Sequence, residues 1–531
     1  MEKEIILYDT TLRDGTQGEG ISFSCEDKLR IARRLDALGI TYIEGGWPGS
    51  NPKDIAFFQE AAKIRWQNAT ITAFGSTRRP GIKPSEDKNL AAILDSGVKV
   101  ATIFGKSWDF HVTNALRTTL EENLAMITES ISFLTSHGLE VFFDAEHFFD
   151  GFKANPDYAL RTLQAAVKGG AKCLILCDTN GGTLPSEIGR IIQQLGDLEV
   201  PLGIHAHNDS GVAVANTLVA VEHGARQVQG TINGIGERAG NADLCSVIPN
   251  LQLKMGFDCL SPEQLATLTK TSRFVWELAN THPIPGQPFV GRSVFAHKGG
   301  IHVSALRRHP ETYEHIPPEK VGNSRRVLVS ELSGSSNILY KLDEYGLDAE
   351  SAPFSPNRLV SIIKEMENQG YYFEGAEASF EILLKKALGL YEKLFELIGF
   401  RLIIEKRSAD EEPLAEATIK VKVGEQVIHT VAEGNGPVNA LDAALRKALA
   451  KVYPQISQIH LTDYKVRVLD EKSGTGAKVR VLIESSDNGR AWGTVGVSTN
   501  IIEASWRALV DSIDYGLRLV ESQKLATTNS E

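Results

Sequence analysis

Eight times in roughly its first 250 residues the chain passes from a short strand-like segment to a helix-like one, and that count restricts the fold more than any other feature. The strand-like segments are EIILYD (4–9), TYIEGG (41–46), TITAFG (70–75), KVATIFG (99–105), EVFFDAE (140–146), CLILCD (173–178), LGIHAH (202–207) and RQVQGTIN (226–233). Helical patterns separate them. In residues 25–38, Ile31, Leu35 and Leu38 share one face, Ser24 can cap the start, and Gly39 can end it. Eight such units are the content of a (β/α)8 TIM barrel; a doubly wound open sheet is the competing architecture.

The pattern changes near residue 276. THPIPGQPFVGRSVFAHKGGIH is rich in Pro and Gly and reads as a crossing linker, and residues 330–395 read as mostly helical. Farther on, TVAEGNGPVNALDAALRKAL (430–449) resembles TVGVSTNIIEASWRALVDSI (494–513). Each is a strand, a turn and an amphipathic helix, and each follows alternating strands, ATIKVKV and KVRVLI. Two ββ(β)α copies point to an α+β regulatory or dimerisation module. The expected organisation is a catalytic barrel over 1–275, a linker region over 276–396, the C-terminal module over 397–520 and a tail over 521–531.

A chain of 531 residues has room for several domains, and its formal net charge of −11 argues against a nucleic-acid partner. Five cysteines make no disulfide framework in so long a chain; Cys173 and Cys177, four apart in CLILC, read as small core residues. No signal peptide is visible and no apolar run reaches membrane-spanning length, so a cytoplasmic chain without membrane contact is expected.

In a barrel, catalytic groups stand at the carboxyl ends of the strands. Those ends carry Arg13 and Asp14, then Glu44, Glu146 with His147, Asp178 with Thr179, His205 with His207, and Glu237, Arg238 and Asn241 in NGIGERAGN. His205 and His207 lie two apart on a strand and so face the same way. A hydrogen-bonded pair on a polar face would satisfy His-x-His alone. With Asp14 the set becomes a two-histidine, one-carboxylate divalent site with open positions, and Asn241 can add a neutral oxygen. Mn, Mg, Co and Zn all suit such a mixed N/O site. Arg13 beside it can hold or polarise an oxyanion, Glu146 can act as a base or positioning group, and Thr179 can donate to a substrate carboxylate. GIGERAGN lacks both the lysine of a P-loop and the spacing of a dinucleotide fingerprint.

YDTTLRDGTQ, GIHAHND, GTINGIGERAGNADL and HKGGIHVSA together resemble the acyl-CoA-condensing Claisen enzymes: the 2-isopropylmalate, homocitrate and citramalate synthases. The C-terminal repeat is similar to the effector domain attached to many of them. The resemblance implies metal ligands at Asp14, His205 and His207 with Asn241 possible, Arg13 on the 2-oxo group, and Glu146 and Thr179 on the oxo acid. It further implies that His302 in GGIH is a catalytic histidine offered to a partner subunit's barrel, accompanied by Tyr313, and hence a homodimer. Relatives of the leucine branch often have an aspartate two residues after that histidine, where this chain has Ser304. EGISFSCEDKLRIARRLDALGITYIEGGWPGSNPKD is most similar to the citramalate-forming branch, which implies acetyl-CoA and pyruvate as co-substrates; the leucine branch, using 2-oxoisovalerate, is the alternative. A branched-chain amino acid, isoleucine first and leucine second, is the implied effector.

Three rival classes fit less well. Lyases on the same barrel carry a Gly-Gly-Cys-Pro loop, where this chain has GIGERAGN with Cys245 beyond it. A biotin-dependent carboxyltransferase would use a carboxylated lysine and a biotinyl Met-Lys pair, and no Met-Lys occurs in the C-terminal region. A metabolite sensor would have no use for a base beside the metal ligands.

Overall fold

The eight strand-like segments are eight parallel strands: β1 Ile6–Asp9, β2 Tyr42–Gly46, β3 Thr70–Ser76, β4 Val100–Lys106, β5 Glu140–Glu146, β6 Cys173–Asp178, β7 Leu202–Ala206 and β8 Gln227–Gly230. The computed structural model describes residues 4–329, 335–347, 356–487 and 490–528. The strands pair in chain order, and β1 closes on β8 with Ile6 opposite Gln227 and Asp9 opposite Gly230. Closure rules out the doubly wound sheet, which keeps two open edges. β8 is shorter than the strand-like segment 226–233 because the chain turns after Gly230 and holds Asn233 at φ 68°.

Local chemistry accounts for the helices around the barrel. In Cys25–Leu38 the Ser24 side chain accepts from the Asp27 N–H, and the Asp27 side chain accepts in return from the Ser24 N–H. Gly39 ends the helix at φ 101°, a left-handed conformation that suits a residue without Cβ. Alternate strand residues such as Leu7, Ile43, Ile103, Phe143, Leu176 and Val228 join the apolar helix faces in the main core. Tyr8, Phe142, Cys173, Ile175 and Cys177 form a smaller cluster inside the barrel. The two cysteines of CLILC are therefore buried core residues, and burial raises both thiols.

The chain divides into two compact units: Met1–Phe295 with Ile316–Arg325, and Ala296–His315 with Arg326–Glu531. The Pro/Gly-rich segment up to Phe295 thus belongs to the barrel unit. The second unit contains the helices Gly300–Arg308, Ser335–Glu344, Pro356–Asn368 and Glu377–Ala387. Parts of the expected helical stretch, 330–334 and 348–355, lie outside the described residues, as do 529–531 of the tail.

Each copy of the repeat is a three-stranded antiparallel sheet followed by a helix. The first comprises Glu396–Glu405, Leu414–Val423 and Gln426–Gly434, then Pro437–Leu449; the second comprises His460–Val468, Val479–Ser486 and Ala491–Ser498, then Ile501–Thr528. The optional third strand is present in both. Strand periodicity turns Ala417, Ile419 and Val421 toward Leu441, Leu445 and Leu449 in one buried cluster. Val481 and Ile483 meet Ala504, Ala508 and Leu509 in the other copy. Among the described residues, no helix is long and apolar enough to cross a membrane.

Candidate active site and metal centre

His205 lies in β7 and His207 follows it, bridged antiparallel to Asn241. The strand period brings their Nε2 atoms to 3.4 Å. Asp14, in the loop after β1, places Oδ2 3.3 Å from His205 Nε2 and 3.8 Å from His207 Nε2. All three residues are buried, and their ligand atoms lie within 4.8 Å of one another.

The surrounding groups fit a cation. Asp14 Oδ1 is buried without a hydrogen-bond partner, as are His207 Nδ1 and Asn241 Oδ1. Burial opposes ionisation of Asp14, but Arg13 and the two histidines outweigh it and hold the carboxyl well below its usual range. Burial and the His205 ring push His207 down to about 4, which leaves a neutral imidazole with a lone pair. Burial also works against charge on His205, yet Asp14 outweighs it and the ring is raised. His205 Nδ1 meets Gln229 Oε1 at 2.9 Å, and Gln229 Nε2 donates to Asp144 Oδ1 at 3.3 Å. With the proton on Nδ1, Nε2 is left facing Asp14, the outer-sphere arrangement that orients metal-binding histidines. Asn241 differs from expectation in one respect. Its Nδ2 faces the cluster, 3.1 Å from Asp14 Oδ2 and 3.3 Å from His205 Nε2, so the amide must turn over to offer oxygen.

Arg13 is fixed from below. Its Nε donates to Glu44 Oε2 at 2.7 Å, and an Nη lies 3.3 Å from Asp14 Oδ2. Burial disfavours the guanidinium's charge, but Glu44 and Asp14 outweigh it and raise its pKa further. Glu44 is fully buried and also accepts from Tyr8 Oη at 2.9 Å and from Thr10 Oγ1. The Arg13 guanidinium lies 3.7 Å from the centre of the Phe74 ring.

Glu146, at the end of β5, is ion-paired to Lys106 at the end of β4. Thr179 Oγ1 accepts from the His147 N–H at 2.9 Å and keeps its own proton to donate. Arg238 donates to Asp209 and, at 2.7 Å, to the Thr179 carbonyl, which ties the ends of β6, β7 and β8 together. A cavity of ≈ 190 Å³ opens over these groups, walled by Trp47, Phe74 and Phe104. Phe74 stacks on Phe104 at 5.4 Å between centroids, and Trp47 meets both rings edge-on. A second cavity of ≈ 500 Å³ shares Arg13, Gln17 and Trp47 and extends past Ser50 and Lys53.

The barrel unit therefore brings together Arg13, Asp14, Glu146, Thr179, His205, His207 and Asn241. His302 and Tyr313 belong to the second unit, where their rings stack 4.1 Å apart at 27° and both side chains are exposed. Sequence reading left Lys106, Asp144, Gln229 and the aromatic wall unassigned. Lys106 ends β4, and Asp144 lies two residues before Glu146 on the same side of β5; those positions are the signal in the sequence. Nothing local marks Gln229, Phe74 or Phe104 as other than strand residues.

Residues 4–275 match the family described as HMGL-like, 289–370 the homocitrate synthase post-HMGL domain-like family, and 374–517 the LeuA allosteric (dimerisation) domain. The chain is 60% identical over 516 residues to an (R)-citramalate synthase of Geobacter sulfurreducens, covering 97% of this chain and 98% of that one. It is 56% identical over 526 residues to an (R)-citramalate synthase of Aquifex aeolicus, covering 98% and 99%. Against a 2-isopropylmalate synthase of Pseudoalteromonas atlantica the identity falls to 33% over 519 residues, at 96% and 95% coverage. Nearly full-length similarity at this level places the chain in the HMGL-like family, in its citramalate synthase branch.

Proposed function

We propose that the chain condenses acetyl-CoA with pyruvate and water, releasing (R)-citramalate and CoA, in the cytoplasmic synthesis of isoleucine. The observation that carries this reading is the ≈ 190 Å³ cavity above Asp14, His205 and His207, closed on one side by three aromatic rings. It suits a short 2-oxo acid, and the ≈ 500 Å³ cavity beside it offers room for the thioester arm of a larger co-substrate.

Asp14, His205 and His207 would hold a divalent metal (Mn, Mg, Co or Zn), with Asn241 adjoining. Such an ion supplies Lewis acidity toward the 2-oxo group. Arg13, fixed by Glu44, stabilises the negative charge that grows on the 2-oxo oxygen. Thr179 donates to the carboxylate of the oxo acid. Glu146, steadied by Lys106, positions the acid against the incoming carbon. His302, with Tyr313 packed on its ring, takes a proton from the acetyl methyl group. The resulting enolate carbon forms a bond to the 2-oxo carbon, whose π electrons pass to the oxygen, and that oxygen is protonated to the hydroxyl. Water then adds to the thioester carbonyl, CoA leaves as the thiol, and a carboxylate remains. Hydrolysis makes the sequence effectively irreversible.

His302 lies outside the barrel unit, so the reading includes a homodimer in which one subunit's linker completes its partner's site. The C-terminal repeat then serves association and feedback by isoleucine, with leucine as the second choice. The deciding measurement is thiol release from acetyl-CoA with a panel of 2-oxo acids. Pyruvate should have the highest kcat/KM, and 2-oxoisovalerate should lose ~5–150-fold, the cost of overpacking a tight site by ~1–3 kcal/mol. A higher kcat/KM for 2-oxoisovalerate would overturn the pyruvate reading.

A further inference from the structure

Trp47 stands between the two cavities of the barrel unit, lining both the ≈ 190 Å³ space over Asp14, His205 and His207 and the ≈ 500 Å³ space beside it. Arg13 and Gln17 line both as well, but of the three shared residues only Trp47 carries a ring. Its backbone is pinned just after β2. The Trp47 N–H donates to Asp54 Oδ2 at 2.9 Å, and Asp54 is ion-paired to Lys28, with both partners buried. Gly46, the residue before, has φ 147°, and a Cβ there would come within 2.4 Å of the Asp54 carboxyl carbon.

Packing alone does not fix the indole. It meets Phe74 and Phe104 edge-on, at 5.6 and 5.7 Å between centroids. The χ2 torsion of tryptophan has broad, roughly two-fold wells, so a turn about that bond can keep an edge against aromatic neighbours while moving Nε1 elsewhere. A hydrogen bond makes the choice: Trp47 Nε1 donates to Asn89 Oδ1. Asn89 is itself held. Its Nδ2 donates to the Ser76 carbonyl at 2.7 Å, and its N–H donates to Asp87 Oδ1 at 2.9 Å. An indole offers only a donor and a carbonyl only an acceptor, so the amide has a single orientation that serves both. Two glycines leave room for the contact. A Cβ on Gly75 would lie 3.0 Å from Asn89 Oδ1, and one on Gly49 would lie 3.4 Å from Asn89 Oδ1 and 3.5 Å from Trp47 Nε1. Asn89 lines neither cavity.

We propose that Asn89 is a positioning residue for the condensation: through the Trp47 N–H it holds the indole as a partition between the two cavities, and so sets the length of 2-oxo acid that the smaller one accepts. The inference rests on the assignment of the two cavities given above. With the indole released, the smaller cavity opens toward the larger. Pyruvate then loses part of the wall it packs against, while an acid one methylene longer gains room.

The test is the ratio of kcat/KM for pyruvate to kcat/KM for 2-oxobutyrate, one methylene longer, in thiol release from acetyl-CoA by the full-length enzyme. Asn89→Leu should lower the ratio by ~3–10-fold, the worth of one buried hydrogen bond, with metal content unchanged. Trp47→Phe keeps a ring but removes the N–H, and should lower the ratio by a similar factor. In the Trp47→Phe background, Asn89→Leu should add nothing, because the two residues act as one unit. Asn89→Asp keeps an acceptor for the indole and loses the donor to Ser76, and should hold the ratio near its wild-type value. A residue that merely braced the end of β3 would lower Tm in Asn89→Leu and leave the ratio where it was. The proposal is overturned by an unchanged ratio in Asn89→Leu or in Trp47→Phe, by a full further drop in the double variant, or by as large a drop in Asn89→Asp as in Asn89→Leu. A wild type that prefers 2-oxoisovalerate overturns the pyruvate reading instead. The same variants then judge the partition on the ratio of 2-oxoisovalerate to its homologue one methylene longer.

Discussion

The barrel and the C-terminal repeat are both built on sheets, and they dispose of strand edges in opposite ways. In the barrel every strand has two neighbours, so no edge is left and one end of the interior is free to be polar. Tyr8 with Glu44, and Gln229 with Asp144 and His205, fill that end with hydrogen bonds around the cluster of Asp14, His205 and His207. Each sheet of the repeat has three strands and one helix; in the first sheet the helix covers one face and leaves the other bare, while the second sheet also packs against the helix Glu377–Ala387. Ile403, Val427 and Val431, paired with Glu416, Lys422 and Thr418 on the bare face of the first sheet, are each exposed. The closed sheet holds polar groups in a fixed geometry, while the bare face of the first open sheet would present the surface for the proposed association.

The largest effect expected from breaking this division is at the cluster. Asp14→Asn or His207→Ala should lower kcat by ~10³–10⁵-fold, since Lewis acidity supplies several kcal/mol of the transition-state stabilisation. Circular dichroism should be unchanged, and metal content by elemental analysis should fall with activity. Full activity with unchanged metal content would reject the ligand set.

Next is His302, outside the barrel. His302→Ala should cost ~10²–10⁴-fold, as for a positioned acid–base group. Mixing His302→Ala subunits with Asp14→Asn subunits should restore part of the activity if the two residues serve one site from different chains. No recovery, with subunit exchange verified by native mass spectrometry, would restrict His302 to its own barrel or remove it from the mechanism.

Gln229→Leu leaves the ligands in place but frees His205 Nδ1, and should weaken metal binding by ~10–100-fold in a competitive chelator titration. Val431→Lys tests the bare face of the first open sheet instead. It should weaken dimerisation by roughly tenfold in sedimentation, the usual cost of one disrupted interface anchor, with metal content unaffected.

The smallest effect concerns pH. Burial raises Asp9 and Asp144 to about 7, against an ordinary carboxyl value of 3.8. Between those values the folded chain holds protons that the unfolded chain has released. Their contribution to stability is therefore complete below about pH 4 and is lost as pH rises through 7. Tm should fall between pH 5 and pH 8, and Asp9→Asn should reduce that fall by ~1–2 °C. An identical fall in the variant would mean that Asp9 is ionised throughout.

Much of this architecture could be read from local pattern. The helix Cys25–Leu38 has the bounds that Ser24 and Gly39 dictate, because capping and left-handed termination involve only neighbouring residues. The two-residue strand period was enough to place His205 and His207 on one side of β7, and the position of Asp14 after β1 made it the matching carboxylate. Local pattern did not reveal how far β8 extends, since the strand-like segment 226–233 runs on to Asn233, whereas the strand ends at Gly230. Nor did it reveal the supports of the site. Glu44 under Arg13, Gln229 behind His205 and the rings of Trp47, Phe74 and Phe104 meet only after the barrel closes. Closure brings Asn241 to Asp14 across 227 residues of chain. The hydrogen bond from Ser379 to Asp511 likewise joins residues 132 apart. Secondary structure follows from contacts within a few residues and leaves a periodic trace in the sequence. A site assembled across a closed sheet depends on which strands become neighbours, and tertiary packing alone decides that.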